Sequence, residues 1–187
     1  MIDNKNTKRA CIRGRSWIGV ALMLALLAAP AFATTVTKLN LAQLVKRADL
    51  IVQGQVQSVY TQWDAEQHLV FTFISIRVDE SLKGGNRQSV LIRQVGGTVG
   101  TVQMSIAGVP QFKSGEMAIV FLKRQDDSTF QVVGMNQGLY EIVEDFAVSN
   151  LSGVDLFDSK TGEITKPLVG GRASLEQLKT KIRELLQ

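Results

Sequence analysis

The chain has 187 residues, of which 45% are hydrophobic and 20% charged, and its formal net charge is +4 at pH 7. This length and composition indicate one globular domain with a sizeable apolar core. A single cysteine and a single histidine exclude a disulfide scaffold and argue against a zinc site built from these residue types.

Residues 1–33 have the pattern of a secretory leader peptide. Five basic residues between Lys5 and Arg15 precede an apolar run at Trp17–Ala29, and Ala31-Phe32-Ala33 has the small-x-small pattern of a cleavage site. We expect cleavage between Ala33 and Thr34 and export to a periplasm or out of the cell. The alternative is an uncleaved anchor helix. It is disfavoured because the apolar run is shorter than the ~20 residues that span a bilayer.

Cleavage at this site would change the charge and the cysteine content. The leader holds five of the 21 basic residues, one of the 17 acidic residues (Asp3) and the single cysteine, Cys11. The predicted mature domain, 34–187, therefore carries 16 basic and 16 acidic side chains. Balanced charge gives no indication of a nucleic-acid partner or an anionic membrane surface. We expect a single exported domain with no nucleic-acid partner and no membrane span after leader cleavage.

A short helix is predicted at the start of the mature domain, over 39–49. Asn40 has the character of an N-cap residue, and Gln43 stands at the capping-box position three residues later. The apolar residues Leu41, Leu44 and Val45 share one face of this helix.

Two long strands follow. Alternating residues in 50–60 predict a half-buried strand, the polar run 63–67 predicts a hairpin loop, and 69–80 predicts a second strand. The residues that alternation places on one face of the first strand are Leu50, Val52, Gly54, Val56 and Tyr60. In the second strand Leu69, Phe71 and Phe73 lie on the face opposite Ile74, Ile76 and Val78, so its first half is expected to be covered on both faces.

Glycines are concentrated in 93–112, RQVGGTVGTVQMSIAGVPQF, directly after an apolar strand. This is the position of a phosphate-binding loop, but the spacing in 96–100 does not match G-x-G-x-x-G, and Gly100 is not followed by Lys-Ser/Thr. The β-branched, alternating residues of 102–106 indicate strand and not helix. We therefore predict a bulge or bend at Gly96-Gly97 and a turn at 107–110, and no helix at Gly100.

Further strands are predicted at 89–95, 117–122, 130–133 and 139–143, with turns at 83–86 and 126–128. A polar turn at 158–162 is predicted between two weaker strands. The chain ends in an amphipathic helix, in which Ser174 is the predicted N-cap and Gln177 its capping-box partner. Its apolar stripe could bind a membrane surface or dock on the protein's own sheet. The helix has only three basic residues against two acidic ones, which favours docking. The pattern as a whole predicts a mainly β fold, a small closed or half-closed antiparallel barrel with a helix at each end.

Residues suited to catalysis are scarce. The single histidine, His68, lies at a loop-to-strand junction, where a surface role is the simpler interpretation. The acidic pairs Asp79-Glu80 and Glu144-Asp145 consist of neighbours that point to opposite faces of a strand. We expect no catalytic residues, no cofactor and no metal site, although carboxylates brought together by folding would permit a hydrolase.

Contacts to a partner are expected from two loops, 61–68 and 96–111. Trp63 is the strongest single candidate, because an exposed aromatic residue on a loop can anchor a partner or a sugar. The alternative is that Trp63 folds back over the end of the barrel. The predicted contact residues are Tyr60, Trp63, His68, Gly97, Val99 and Met104.

Three short motifs carry a resemblance to a known family. The segments 48–56 (ADLIVQGQV), 78–84 (VDESLKG) and 112–122 (FKSGEMAIVFL) resemble, in order, the first, second and fourth strands of netrin-like modules. That family includes the tissue inhibitors of metalloproteinases, and the chain looks closer still to uncharacterised exported bacterial proteins. The resemblance spans about 48–122 and implies an OB-like barrel with a general binding role.

The resemblance does not extend to the inhibitory site of that family. Its inhibitors chelate the target's zinc through an N-terminal cysteine, whereas the predicted mature chain begins Thr34-Thr35-Val36. The leading hypothesis is an exported, non-enzymatic binding module whose partner is a protein or another extracytoplasmic ligand. The alternatives are an inhibitor or regulator of an extracytoplasmic protease and, from a different class, a carboxylate-based hydrolase.

Overall fold

A computed structural model describes residues 35–126, 128–151, 155–165 and 171–187. The predicted leader and its cleavage site at Ala33–Thr34 lie outside the described residues. The fold is mainly β. The strands are β1 (Thr35–Thr37), β2 (Leu50–Asp64), β3 (Leu69–Lys83), β4 (Ser89–Val95), β5 (Gly97–Val99), β6 (Val102–Met104), β7 (Met117–Arg124), β8 (Thr129–Val132), β9 (Leu139–Val143), β10 (Phe146–Val148), β11 (Asp155–Phe157), β12 (Ile164–Thr165) and β13 (Arg172–Ser174). The helices are α1 (Leu41–Arg47), α2 (Leu175–Glu184) and a 3₁₀ helix at Met135–Gly138.

Five strands are hydrogen-bonded in the order of a ring. β2 pairs with β3, β3 with β4, β4 with β8, β8 with β7, and β7 again with β2. The ring is not closed as a barrel. Its weakest part is β8, which pairs through two residues with β4 and three with β7. The strand pairs of the ring are antiparallel, as in the predicted antiparallel barrel, except for the parallel pair β4–β8.

The main sheet continues beyond the ring. β9, β10 and β13 extend it from the edge of β7, beside β8, while β1, β11 and β12 form a separate three-stranded sheet. The remaining strands, β5 and β6, form a hairpin within the long connection from β4 to β7.

Two apolar clusters lie on opposite sides of the ring strands. The inner cluster includes Val52, Ile74 and Val120, and the outer one includes Ile119, Phe121 and the helices. Alternation along a strand separates them, because neighbouring residues such as Ile119 and Val120 point to opposite faces. The inner side of the sheet is therefore buried because the ring strands face one another, and its outer side is buried by α1 and α2.

The predicted N-terminal helix is confirmed as α1. The Asn40 side chain accepts a hydrogen bond from the Gln43 backbone, and the Gln43 side chain accepts one from the Asn40 backbone, each at 2.9 Å. This is the reciprocal capping box.

The C-terminal helix docks on the protein's own sheet, as expected. Leu178 and Ile182 of α2 are buried in the outer cluster. The predicted capping box at its start is wrong: Ser174 is the N-cap residue but makes no side-chain capping hydrogen bond. Its β13 position, paired with β10, already fixes the entry of the chain into the helix.

The glycine-rich stretch is a bend followed by a hairpin. Gly96 and Gly97 have φ angles of 113° and 128°, and the chain then forms β5, a turn at Gly100 and β6. The prediction that no helix begins at Gly100 is confirmed, and a turn follows at Ala107-Gly108.

Across the described ranges, no helix is long and apolar enough to cross a membrane.

Candidate functional site

The tip of the β2–β3 hairpin holds two of the predicted contact residues. The Asp64 carboxylate accepts hydrogen bonds from the backbone N–H groups of Glu66 and Gln67 at 3.0 and 2.9 Å, which fixes the turn. His68 has a φ of 55° and ends this turn. Its ring lies edge-on to Trp63, with the ring centroids 6.4 Å apart. The Trp63 side chain remains 40% exposed, so it is not part of the buried core enclosed by the strands.

A β-bulge decides where Tyr60 points. Val56 pairs with Ile76 and Ser58 with Ser75, so Gln57 is an extra residue in β2 and reverses the alternation after it. The expectation that Tyr60 shares a face with Val56 is therefore wrong. Tyr60 lies opposite Phe73 on the outward face, and the two rings stack with centroids 5.2 Å apart and an interplanar angle of 13°.

The same row of the sheet continues to Arg93. Phe73 pairs with Arg93 of β4, and the Arg93 guanidinium lies over the neighbouring ring of Phe71, 4.5 Å from its centroid. This arrangement is a cation–π contact. Phe71 is only 4% exposed, so the expectation that it is covered is confirmed, and a cation supplies part of the cover.

Arg93 also faces the loop between β7 and β8. Its Nη1 atom lies 3.9 Å from Oδ2 of Asp126. A hydrogen bond from the Thr129 hydroxyl, with others from the backbone of Ser128 and Thr129, lowers the pKa of Asp126 to about 2. The carboxylate therefore stays charged beside Arg93.

The outward side of strands β2, β3 and β4, in the part near the β2–β3 hairpin tip, is called the aromatic face. It is formed by Tyr60, Gln62, Phe71, Phe73 and Arg93. A groove of 290 Å³ lies between the hairpin tip and the part of this face formed by Gln62, Phe71, Phe73 and Arg93; Tyr60 does not line it but stacks on Phe73, which does. The residues that line the groove are Gln62, Trp63, Asp64, Ala65, Glu66, Phe71, Phe73 and Arg93. Sequence reasoning did not select Phe73 or Arg93, because the bulge that aligns them with Tyr60 leaves no clear signal in the sequence.

The other three predicted contact residues lie on the opposite side of the same hairpin. Gly97 packs against Thr61 and Thr72, which alternate with Tyr60 and Phe73 along their strands. The Thr61 hydroxyl donates to the Thr98 carbonyl at 2.6 Å, and the Thr72 hydroxyl donates to the Gly96 carbonyl at 2.6 Å. Val99 and Met104 are half-buried in the β5–β6 hairpin. Tyr60 and the β5–β6 hairpin therefore lie on opposite faces of the β2–β3 hairpin.

A second cleft, of 210 Å³, lies beside the segment that follows β6. Its lining residues are Ile106, Gly108, Val109, Gln111, Asn136, Leu139, Glu141 and Asn150. The cleft combines an aliphatic floor with carboxamide groups and one carboxylate. It holds no aromatic side chain among these residues.

The carboxylates of the acidic pair Asp79-Glu80 are engaged in ion pairs. Glu80 is held by Lys179 and Arg183, and Asp79 lies 3.3 Å from Arg77. No group of three or more potential ligands is placed to hold a metal ion anywhere in the described ranges.

The chain matches no protein-family model and no curated protein.

Proposed function

We propose that this chain is an exported, non-enzymatic binding module of OB-like architecture, whose contact surface is the aromatic face. The order of the ring supports the architecture. When β2, β3, β4, β7 and β8 are numbered 1 to 5 in chain order, their order around the ring is 1-2-3-5-4. The one parallel pair of the ring joins strands 3 and 5, which are β4 and β8. The OB fold is a five-stranded, partly open barrel of this kind.

The observation that carries the binding role is the aromatic face itself. Tyr60 is 49% exposed although it stacks on Phe73, and Trp63 at the hairpin tip is exposed as well. Aromatic side chains supply large contact areas at low conformational cost, and they dominate the energetics of binding surfaces. A groove with three aromatic rings and several polar groups is a favourable place for a ligand.

Export is part of the proposal and has its own test. The protein recovered from a periplasmic or culture fraction should begin at Thr34, as measured by mass spectrometry of the intact chain. Recovery of the full-length chain from the cytoplasmic fraction alone would contradict export.

The binding role is tested by affinity capture from extracytoplasmic fractions with the native protein and two variants. Tyr60→Ala should abolish the capture of a specific ligand. Phe157→Ala, which removes a similarly exposed ring from β11, should leave the capture unchanged. Capture of a protease that depends on Tyr60 would favour the inhibitor alternative. Hydrolytic turnover without any bound ligand would overturn the binding role.

A further inference from the structure

We propose that the ligand of the aromatic face is a neutral oligosaccharide. This inference rests on the binding role proposed above and adds the chemical class of the ligand. It follows from three properties of the face: a fixed aromatic platform, polar side chains without partners beside it, and a local charge that disfavours polyanions.

The platform is the Tyr60 ring. One of its faces stacks on Phe73, which holds the ring in a fixed orientation. β2 pairs with β7 only over Leu50–Gln55, so within the described chain no strand neighbours β2 on the Tyr60 side. The second ring face has no stacking partner among the described residues. The C–H groups on one side of a pyranose ring pack well on such a flat aromatic surface.

Polar groups beside the platform are free to bind hydroxyls. The Gln62 carboxamide and the Glu66 carboxylate make no hydrogen bond within the described part of the chain, and both line the groove. Arg93 is not free in this sense, because it lies over the Phe71 ring and 3.9 Å from Asp126, and its Nε atom is buried; the free groups are those of Gln62 and Glu66. These groups include both donors and acceptors. A sugar hydroxyl, which donates and accepts, can pair with each of them.

The charge of the groove argues against nucleic acids and acidic polysaccharides. Asp64 and Glu66 line it together with a single cation, Arg93, and the Asp126 carboxylate lies beside that cation. Polyanion sites gain their affinity from clusters of lysine and arginine. An excess of carboxylates would repel a phosphate, sulfate or uronate chain, whereas a neutral sugar is unaffected by it.

The test is affinity electrophoresis in native gels that contain laminarin, dextran or galactomannan, with alginate as the anionic comparison. The native protein should be retarded by at least one neutral polysaccharide and not by alginate. Tyr60→Ala should weaken this retardation about tenfold, the usual scale for loss of a central aromatic contact. Tyr60→Phe keeps the ring and should bind nearly as well as the native protein.

Phe157→Ala serves as the matched control and should be retarded as strongly as the native protein. Thermal unfolding of each variant shows whether it is folded. If Tyr60→Ala proves unfolded, Gln62→Ala takes its place, with the same expected direction. Retardation that is unchanged by Tyr60→Ala, retardation by alginate alone, or no retardation in any gel would overturn the sugar proposal.

The two proposals fail in different ways. A protein partner captured by the native chain and lost with Tyr60→Ala, together with no retardation in any gel, would overturn the sugar ligand and leave the binding role intact. Capture and retardation that both persist in Tyr60→Ala would show that the aromatic face is not the contact surface, which overturns both proposals for this face.

Discussion

The ammonium group of Lys179 in α2 lies 2.6 Å from a carboxylate oxygen of Glu80 in β3. Arg183 of the same helix lies 2.7 Å from the other oxygen of that carboxylate. One carboxylate on the sheet therefore holds two successive turns of the C-terminal helix. The Lys179 side chain is only 10% exposed, so its charge depends on Glu80 and on Glu176, whose carboxylate lies 3.3 Å away.

This pair predicts how stability varies with pH. Partial burial alone would raise the pKa of Glu80, but the hydrogen bonds and charges of Lys179 and Arg183 outweigh it and hold the pKa below 4.5. The hydrogen bond with Glu80 raises the pKa of Lys179 above 10.5, against the effect of burial. The contribution of Glu80 is therefore present above pH 4.5 and is lost as the pH falls through its depressed pKa. That of Lys179 is present below pH 10.5 and is lost as the pH rises through its raised pKa.

Thermal unfolding followed across the acid range measures this dependence. Glu80→Gln should lower the free energy of unfolding by about 1–2 kcal/mol at neutral pH and flatten the fall in stability toward acid. Glu184→Gln is the control, because it removes only an exposed pair with Lys181. Equal effects of the two substitutions would contradict the importance of the Glu80 contact.

Gly97→Ala should be strongly destabilising. A Cβ at Gly97 would lie 2.6 Å from a methyl carbon of Thr61 and 2.7 Å from the hydroxyl of Thr72, at a φ of +128°. We expect a loss of about 2–4 kcal/mol from the combined clash and backbone strain. Gly100→Ala should cost only about 1 kcal/mol, because Gly100 also has a positive φ but open space around it. Urea unfolding midpoints of the two variants decide the comparison.

Trp63→Ala separates a contact role from a structural one. Since Trp63 is partly exposed at the hairpin tip, we expect a loss of less than about 1 kcal/mol. Phe71→Ala, by comparison, removes a ring buried beneath Arg93 and should cost about 3–5 kcal/mol. A large loss from Trp63→Ala in the same denaturation assay would mean that Trp63 mainly stabilises the fold.

Gln137→Ala should loosen the N-terminal segment. The Gln137 side chain is buried, accepts the Leu39 N–H at 2.7 Å and donates to the Thr37 carbonyl at 3.0 Å. Its removal leaves these backbone groups without partners, at a cost of about 1–3 kcal/mol. Amide exchange at Leu39 should become faster. In the distant strand β4, protection from exchange should fall only as much as the global stability falls. Unchanged protection at Leu39 would contradict this role.

Some elements could be predicted because their signals are local. The capping box of Asn40 and Gln43 lies within four residues, and the apolar run of β7 needs only the preference of such residues for a buried strand. The absence of a helix at Gly100 was likewise evident from β-branched residues nearby. At Ser174 the local pattern was misleading, since a strand pairing with β10 took the place of a side-chain cap.

The sequence by itself determined the positions of the longer strands, such as β2, β3, β4 and β7, and of the two α-helices, because hydrophobic periodicity and turn chemistry act over a few residues. Only the tertiary structure decided the aromatic face. A one-residue bulge at Gln57 reverses the side of the sheet on which Tyr60 lies, and pairing across three strands brings Phe73 and Arg93 beside it. Register between strands depends on contacts between residues far apart in the chain, and alternation within one strand does not contain that information.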